Sequence, residues 1–133
     1  MSSSTGKVLY NERKKFKMTE KNIFYAGAAD LLILHFLNQR ESYAFELTRM
    51  INEYSGHDFP ISGTSVILDI KKLLEAGKVS ESKRITVNGR PRVYYRIEDK
   101  GRDYLSDLKK AYRRSIRGAD RCLKTILQDI PAK

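Results

Sequence analysis

Arg90 and Arg92 flank Pro91 just past an Asn88-Gly89 pair, and the short residues Ser62, Gly63, Thr64 and Ser65 run ahead of a segment with helical apolar spacing. Neither cluster sets a nucleophile beside a base. What both can do is hold oxyanions. Planar guanidinium groups make paired hydrogen bonds to phosphate oxygens, and small side chains at a helix start let backbone N–H groups approach a phosphate closely. Metal and nucleophilic chemistry have little to work with: His35, His57 and the single cysteine, Cys122, are isolated from one another, and no Gly-rich phosphate loop accompanies them. The residues imply binding rather than catalysis, with no metal and no cofactor.

The charge agrees with that chemistry. The chain of 133 residues carries 26 Lys plus Arg against 16 Asp plus Glu, a formal net charge of +10. Such an excess points to a polyanion, with nucleic acid ahead of acidic membrane or acidic protein. The basic residues gather near the N-terminus, around Pro91 and from Lys109 to Arg121. The length fits one compact domain with its own core, and a composition that is 41% hydrophobic and 32% charged fits neither a disordered tail nor a bilayer protein. The most apolar stretch, Ile23 to Leu37, contains Asp30 and His35 and falls short of the roughly 20 apolar residues of a membrane helix. No export cleavage site follows it, and one cysteine forms no internal disulfide, so a cytoplasmic setting is expected.

Three segments are expected. Residues 1–21 read as a flexible basic N-terminal arm with Lys7, Arg13, Lys14, Lys15 and Lys17, residues 22–98 as a winged helix-turn-helix domain, and residues 99–133 as a C-terminal dimerisation helix with a break near Gly118. Within the domain, Ile23 to Leu37 is apolar on every side and predicts a central helix. Its Asp30 is expected near the helix start or paired with a base across a dimer. Ser42 is expected to cap a second helix whose stripe is Leu47, Met50, Ile51 and Tyr54, ended by Gly56. A third helix from Gly63 to Ala76, capped by Ser62 or Thr64, turns Val66, Ile67, Ile70, Leu73 and Leu74 inward and Ser65, Leu68 and Lys72 outward, joined by Thr64, Asp69 and Lys71. The period then drops to two. Val79 to Val87 and Arg92 to Ile97 read as strands, with Asn88-Gly89 as the turn and Asn88, Gly89, Arg90 and Pro91 at the tip.

Helices followed by a hairpin make a winged helix, mainly α with a small β-hairpin, whose third helix enters the DNA major groove while the hairpin reaches the nearby backbone or minor groove. The expected DNA contacts are Tyr43, Ser62, Gly63, Thr64, Ser65, Leu68, Lys71, Lys72, Asn88, Gly89, Arg90 and Arg92. Among them, Lys72 can donate to guanine and Leu68 can pack on a thymine methyl. The last helix repeats apolar residues every three or four positions from Leu105 to Ile130, a stripe too long for a small domain to cover. A second copy is therefore expected over Leu105, Leu108, Tyr112, Ile116, Ala119, Leu123 and Ile126, joined by Phe24 and Tyr25. Cys122 is expected as a small buried residue beside that stripe.

The runs Leu31-Leu32-Ile33-Leu34, Tyr43-Ala44-Phe45-Glu46-Leu47, Ile61-Ser62-Gly63-Thr64-Ser65 and Leu73-Leu74-Glu75-Ala76-Gly77 occur in that order. They lead to Gly89-Arg90-Pro91-Arg92-Val93-Tyr94-Tyr95-Arg96-Ile97, with Gly101 beyond. Together they resemble the PadR family of transcriptional regulators over about residues 24 to 116, and the short segment after the wing looks like its smaller subgroup. The resemblance implies a homodimeric repressor paired through its C-terminal helices, with double-stranded DNA as partner and a small aromatic or drug-like effector as a further candidate. The chain departs from the family at Ile67, where a tyrosine is usual, at Leu68, where a proline is usual, and at Ala44-Phe45, where Gly-Tyr is usual. The alternative reading is a winged-helix module that binds protein or RNA without an operator.

Overall fold

The computed structural model of the chain describes residues 27–128. The basic arm, Phe24, Tyr25 and Ile130 lie outside the described residues. In chain order the elements are α1 (Ala28–Leu37), β1 (Ser42–Tyr43), α2 (Ala44–Tyr54), α3 (Gly63–Glu75), β2 (Val79–Val87), β3 (Arg90–Ile97) and α4 (Asp99–Leu123).

The central helix is α1, with Leu31, Ile33, Leu34 and Leu37 buried and Leu32 and Phe36 packed against the same core. It runs from Ala28, preceded by Gly27 with a left-handed φ of 77°, and residues 23–26 of the expected helix lie outside the described residues. Asp30 lies in its first turn and accepts a hydrogen bond from the Tyr104 hydroxyl of α4 at 3.4 Å, so its partner is within the chain. Burial pushes the Asp30 carboxyl above its ordinary value, against the pull of Tyr104, Lys78 and Lys72.

Ser42 does not cap α2. It is fully buried in β1, which pairs antiparallel with β3 (Ser42 opposite Tyr95, Tyr43 opposite Tyr94), so the expected two-stranded hairpin is a three-stranded sheet in the order β1-β3-β2. The N-cap position falls to Tyr43, which makes no side-chain cap bond. Leu47, Met50 and Ile51 of α2 enter the core, but Tyr54 at the end of the expected stripe stays 77% exposed and leans on Phe36, with ring centroids 5.8 Å apart. From α3 the core takes Val66, Ile70 and Leu73. Ile67, expected inward, is 56% exposed. It lies about 100° around the helix from Val66, past the edge of the narrow face that the core covers.

The hairpin turn is tighter than expected. Asn88 and Gly89 take φ values of 53° and 77°, as a two-residue turn of the mirror-image type requires, so Arg90 already pairs with Val87 and Pro91 with Thr86. A register shift between Glu81 and Lys83 interrupts the β2–β3 ladder.

The long helix α4 runs without a break through Gly118 for 25 residues, about 37 Å, and ends at Leu123, so Ile126 lies beyond it. Its beginning is covered by its own chain. Leu105 is 3% exposed and belongs to the core, and Leu108 and Tyr104 pack against that core, which removes Leu105 and most of Leu108 from a surface for a second copy. Cys122 is exposed rather than buried. No described helix is long and apolar enough to cross a membrane.

The approach of α4 to the root of the hairpin tolerates no side chain at Gly101, where a Cβ would fall on the Lys78 carbonyl oxygen and lie 2.7 Å from Ile97 Cγ1. Gly101→Ala is therefore expected to lower stability by about 1–3 kcal/mol. Gly118→Ala, in open surroundings within the same helix, is expected to raise it by up to about 1 kcal/mol. Thermal unfolding of the two variants checks both signs.

Candidate nucleic-acid interface

The start of α3 is organised by its own hydroxyls. Ser62 Oγ accepts from the Ser65 backbone N–H at 3.1 Å and donates to Ser65 Oγ at 3.1 Å, so this serine pair fixes the helix entry before any ligand arrives. Gly63 and Thr64 complete the first turn, with Thr64 exposed and no acidic residue among them. The loop that delivers α3 is held by Asn52, which sequence reasoning missed. Its Nδ2 donates to the carbonyls of Thr48 (2.9 Å) and Ile61 (3.0 Å), and its Oδ1 accepts from the Ile61 N–H at 3.4 Å. The signal available was an amide-bearing residue in the last turns of a helix, one turn before a Gly stop. Its partner nine residues on had no local cue.

On the outer side of α3 stand Thr64, Leu68 and Lys71, all exposed, with Ile67 on one flank and Ser65 and Lys72 on the other. The two lysines differ in setting. Lys72 lies near Asp30 and Asp69, where burial pushes both carboxyls up and the lysine charge draws them down, so part of its field is spent on its own chain. Lys71, one residue before it, is likewise exposed.

In the wing, Arg90 is exposed beside the turn of Asn88 and Gly89, whereas Arg92 is half-buried. The Arg92 guanidinium carbon lies 4.5 Å from the ring centroid of Tyr43. Tyr43 meets Tyr94 edge-on at 5.2 Å, and Lys83 Nζ sits 5.0 Å from the Tyr94 ring. Two cations thus bracket a tyrosine pair, each at a distance where a cation gains from the negative face of an aromatic ring. The register explains it: Tyr43 lies opposite Tyr94, and Arg92 is two residues along β3 on the same face. Tyr43, read as a DNA contact, has its ring occupied by Arg92.

Beyond the core, α4 leaves Tyr112, Ile116, Ala119 and Leu123 exposed, spaced by four, three and four residues, among Arg113, Arg114, Arg117 and Arg121. Ile126 and Leu127 are exposed after the helix ends.

The sequence model of the transcriptional regulator PadR-like family matches residues 33–107. A protein of Lysinibacillus sphaericus described only as uncharacterized is 30% identical over 93 residues, which cover 65% of this chain and 79% of that protein. Among solved structures, a transcriptional regulator from Clostridium thermocellum superposes with a TM-score of 0.69 at 21% identity, over 76% of this chain and 98% of its own. PadR of Bacillus subtilis, solved in complex with operator DNA, superposes with a TM-score of 0.54 at 20% identity, over 78% of this chain and 49% of that one. At these identities the two structures establish the fold.

If Tyr43 serves by holding Arg92, its effect on affinity for duplex DNA depends on that arginine. Tyr43→Leu is expected to weaken binding by about 0.5–1 kcal/mol in the native background and by nothing measurable in an Arg92→Ala background, whereas Tyr43→Phe keeps full affinity. Fluorescence anisotropy titration of the four combinations reads the coupling directly.

Proposed function

We propose, on the premise that this chain belongs to the transcriptional regulator PadR-like family, that it is a sequence-specific, homodimeric repressor of transcription acting on double-stranded DNA. The observation that carries the reading is the presence of three anion-directed features on a chain with net charge +10: the capped N-terminus of α3, the exposed Lys71, and the arginines of the wing. A helix N-terminus attracts phosphate through its unpaired N–H groups, and wing arginines add paired hydrogen bonds to the backbone. Together they would set α3 in register along the groove, and the outer side chains of α3 would then meet base edges. The B. subtilis PadR–operator complex supports this placement by likeness of fold.

Pairing of two copies rests on the exposed stripe of α4. Tyr112, Ile116 and Leu123 leave apolar surface in water along one helix, an arrangement that a second copy of the same helix would bury. A symmetric pair reads two half-sites, so the operator is expected to be palindromic. Release from DNA by a small aromatic effector belongs to the same reading, and adding candidate effectors to the binding assay tests it.

Selection of bound duplexes from a randomised pool is expected to return a palindromic site whose affinity falls about 10³–10⁵-fold between 50 and 200 mM salt, as for a protein that neutralises roughly 6–10 phosphates. Arg90→Ala with Arg92→Ala is expected to weaken that site by about 2–4 kcal/mol, while stability falls by no more than the contribution of the Arg92–Tyr43 contact, about 0.5–1 kcal/mol, which thermal melting reads separately. Flat salt dependence and no preferred site would instead favour a module that holds protein or RNA. Ile116→Glu is expected to convert a dimer to a monomer in sedimentation at micromolar concentration, since it places a charge in the middle of the stripe.

A further inference from the structure

Two aliphatic side chains project from the second turn of α3, with Ile67 56% and Leu68 54% exposed. The core already takes its share of this helix through Val66, Ile70 and Leu73. Beside the pair stand the exposed Thr64 and Lys71, and the helix opens on the Ser62 cap with no acidic residue in its first turn. Apolar surface left in water is unfavourable until something covers it. On a helix whose entry and flanks suit a polyanion, the cover with matching chemistry is the C5-methyl of thymine, the apolar group that base edges present in the major groove.

We propose that Ile67 and Leu68 together read thymine methyl groups, so that each half-site carries thymines beneath the second turn of α3. This rests on the DNA-binding reading above and names what in the operator is recognised. Neither side chain can donate or accept a hydrogen bond. Each therefore gains from a methyl and, set against the N4 donor of cytosine, leaves that donor without a partner. Ile67 and Leu68 lie about 100° apart on the helix and so face neighbouring parts of the groove floor, which calls for methyls on more than one base pair.

The test replaces each thymidine of the selected duplex, one at a time, by deoxyuridine, which keeps the base pair and its hydrogen-bonding pattern and removes the methyl alone. Affinity is expected to fall roughly fourfold at each thymine that the pair touches and to stay unchanged elsewhere. Ile67→Ala and Leu68→Ala, both folded by thermal melting because both positions are exposed, are each expected to lose the sensitivity at one position and keep it at the other. A selected duplex that is bound tightly and specifically but is insensitive to uracil throughout would overturn this inference and leave the DNA-binding reading intact. Variants with wild-type affinity and an unchanged uracil profile would also overturn it, and would point to a protein surface as the cover for the pair. A pool that yields no preferred duplex would overturn both readings together.

Discussion

The peptide unit of Lys78 is the joint on which the geometry turns. Its N–H donates to the Leu73 carbonyl at 2.9 Å and closes the end of α3, while Gly77 beside it takes the left-handed φ of 73° that this closure requires. Its carbonyl accepts from the Glu98 N–H at 2.9 Å, which ties the third residue past α3 to the entry of α4. Gly101 packs against that same carbonyl. The side chain continues outward, with Nζ 3.5 Å from the Tyr104 ring centroid, and Tyr104 in turn donates to Asp30 of α1. The end of α3, the root of the hairpin and the entry of α4 therefore meet at one residue through backbone contacts, and α1 joins them through the Lys78 and Tyr104 side chains. A side chain can change rotamer at such a junction, but a carbonyl with a Cα pressed on it leaves far less freedom.

What the sequence makes legible follows from how local each determinant is. Asn88-Gly89 specifies its turn because positive φ is a property of those two residues, and Ser62 specifies its cap because the bond it accepts comes from three residues away. Helical periodicity locates α2 and α3 for the same reason. Ser42 has every local mark of a cap, yet its backbone pairs with Tyr95, more than fifty positions along the chain, and nothing in residues 38–48 announces that strand. Ile67 sits within an inward stripe by spacing, but how wide a face the core covers depends on what α1 and α2 bring to it, and here they stop short of it. Leu105 fails in the opposite direction: periodicity shows that it must be covered, and only the tertiary fold shows that the cover is the chain's own core. Tyr43 and Asn52 are cases where residue type is visible and its partner is not.

Basic residues of one formal charge occupy distinct electrostatic settings. Arg92 is partly ordered by the aromatic ring beneath it, so less of its side-chain freedom is left to lose in any further contact. Arg90, at the mouth of the turn, keeps its freedom and its hydration. Lys72 shares its field with two carboxyls, and Lys71 does not. Counting charges would weight these four alike, whereas the structure separates a pre-set group from an adaptable one and a partly neutralised group from an open one.

The continuous α4 has a mechanical consequence. Its first two turns are embedded in the core through Leu105 and Gly101, and the remainder stands clear as a stiff rod about 37 Å in total length. A rigid arm fixed at its root converts rotation into translation: a tilt of about 5° at Gly101 carries the far end sideways by about 3 Å, close to the rise of one base pair along a DNA duplex. The relation is reciprocal. With the distal end held, the same small rotation swings α3 and the β2–β3 hairpin by a comparable step.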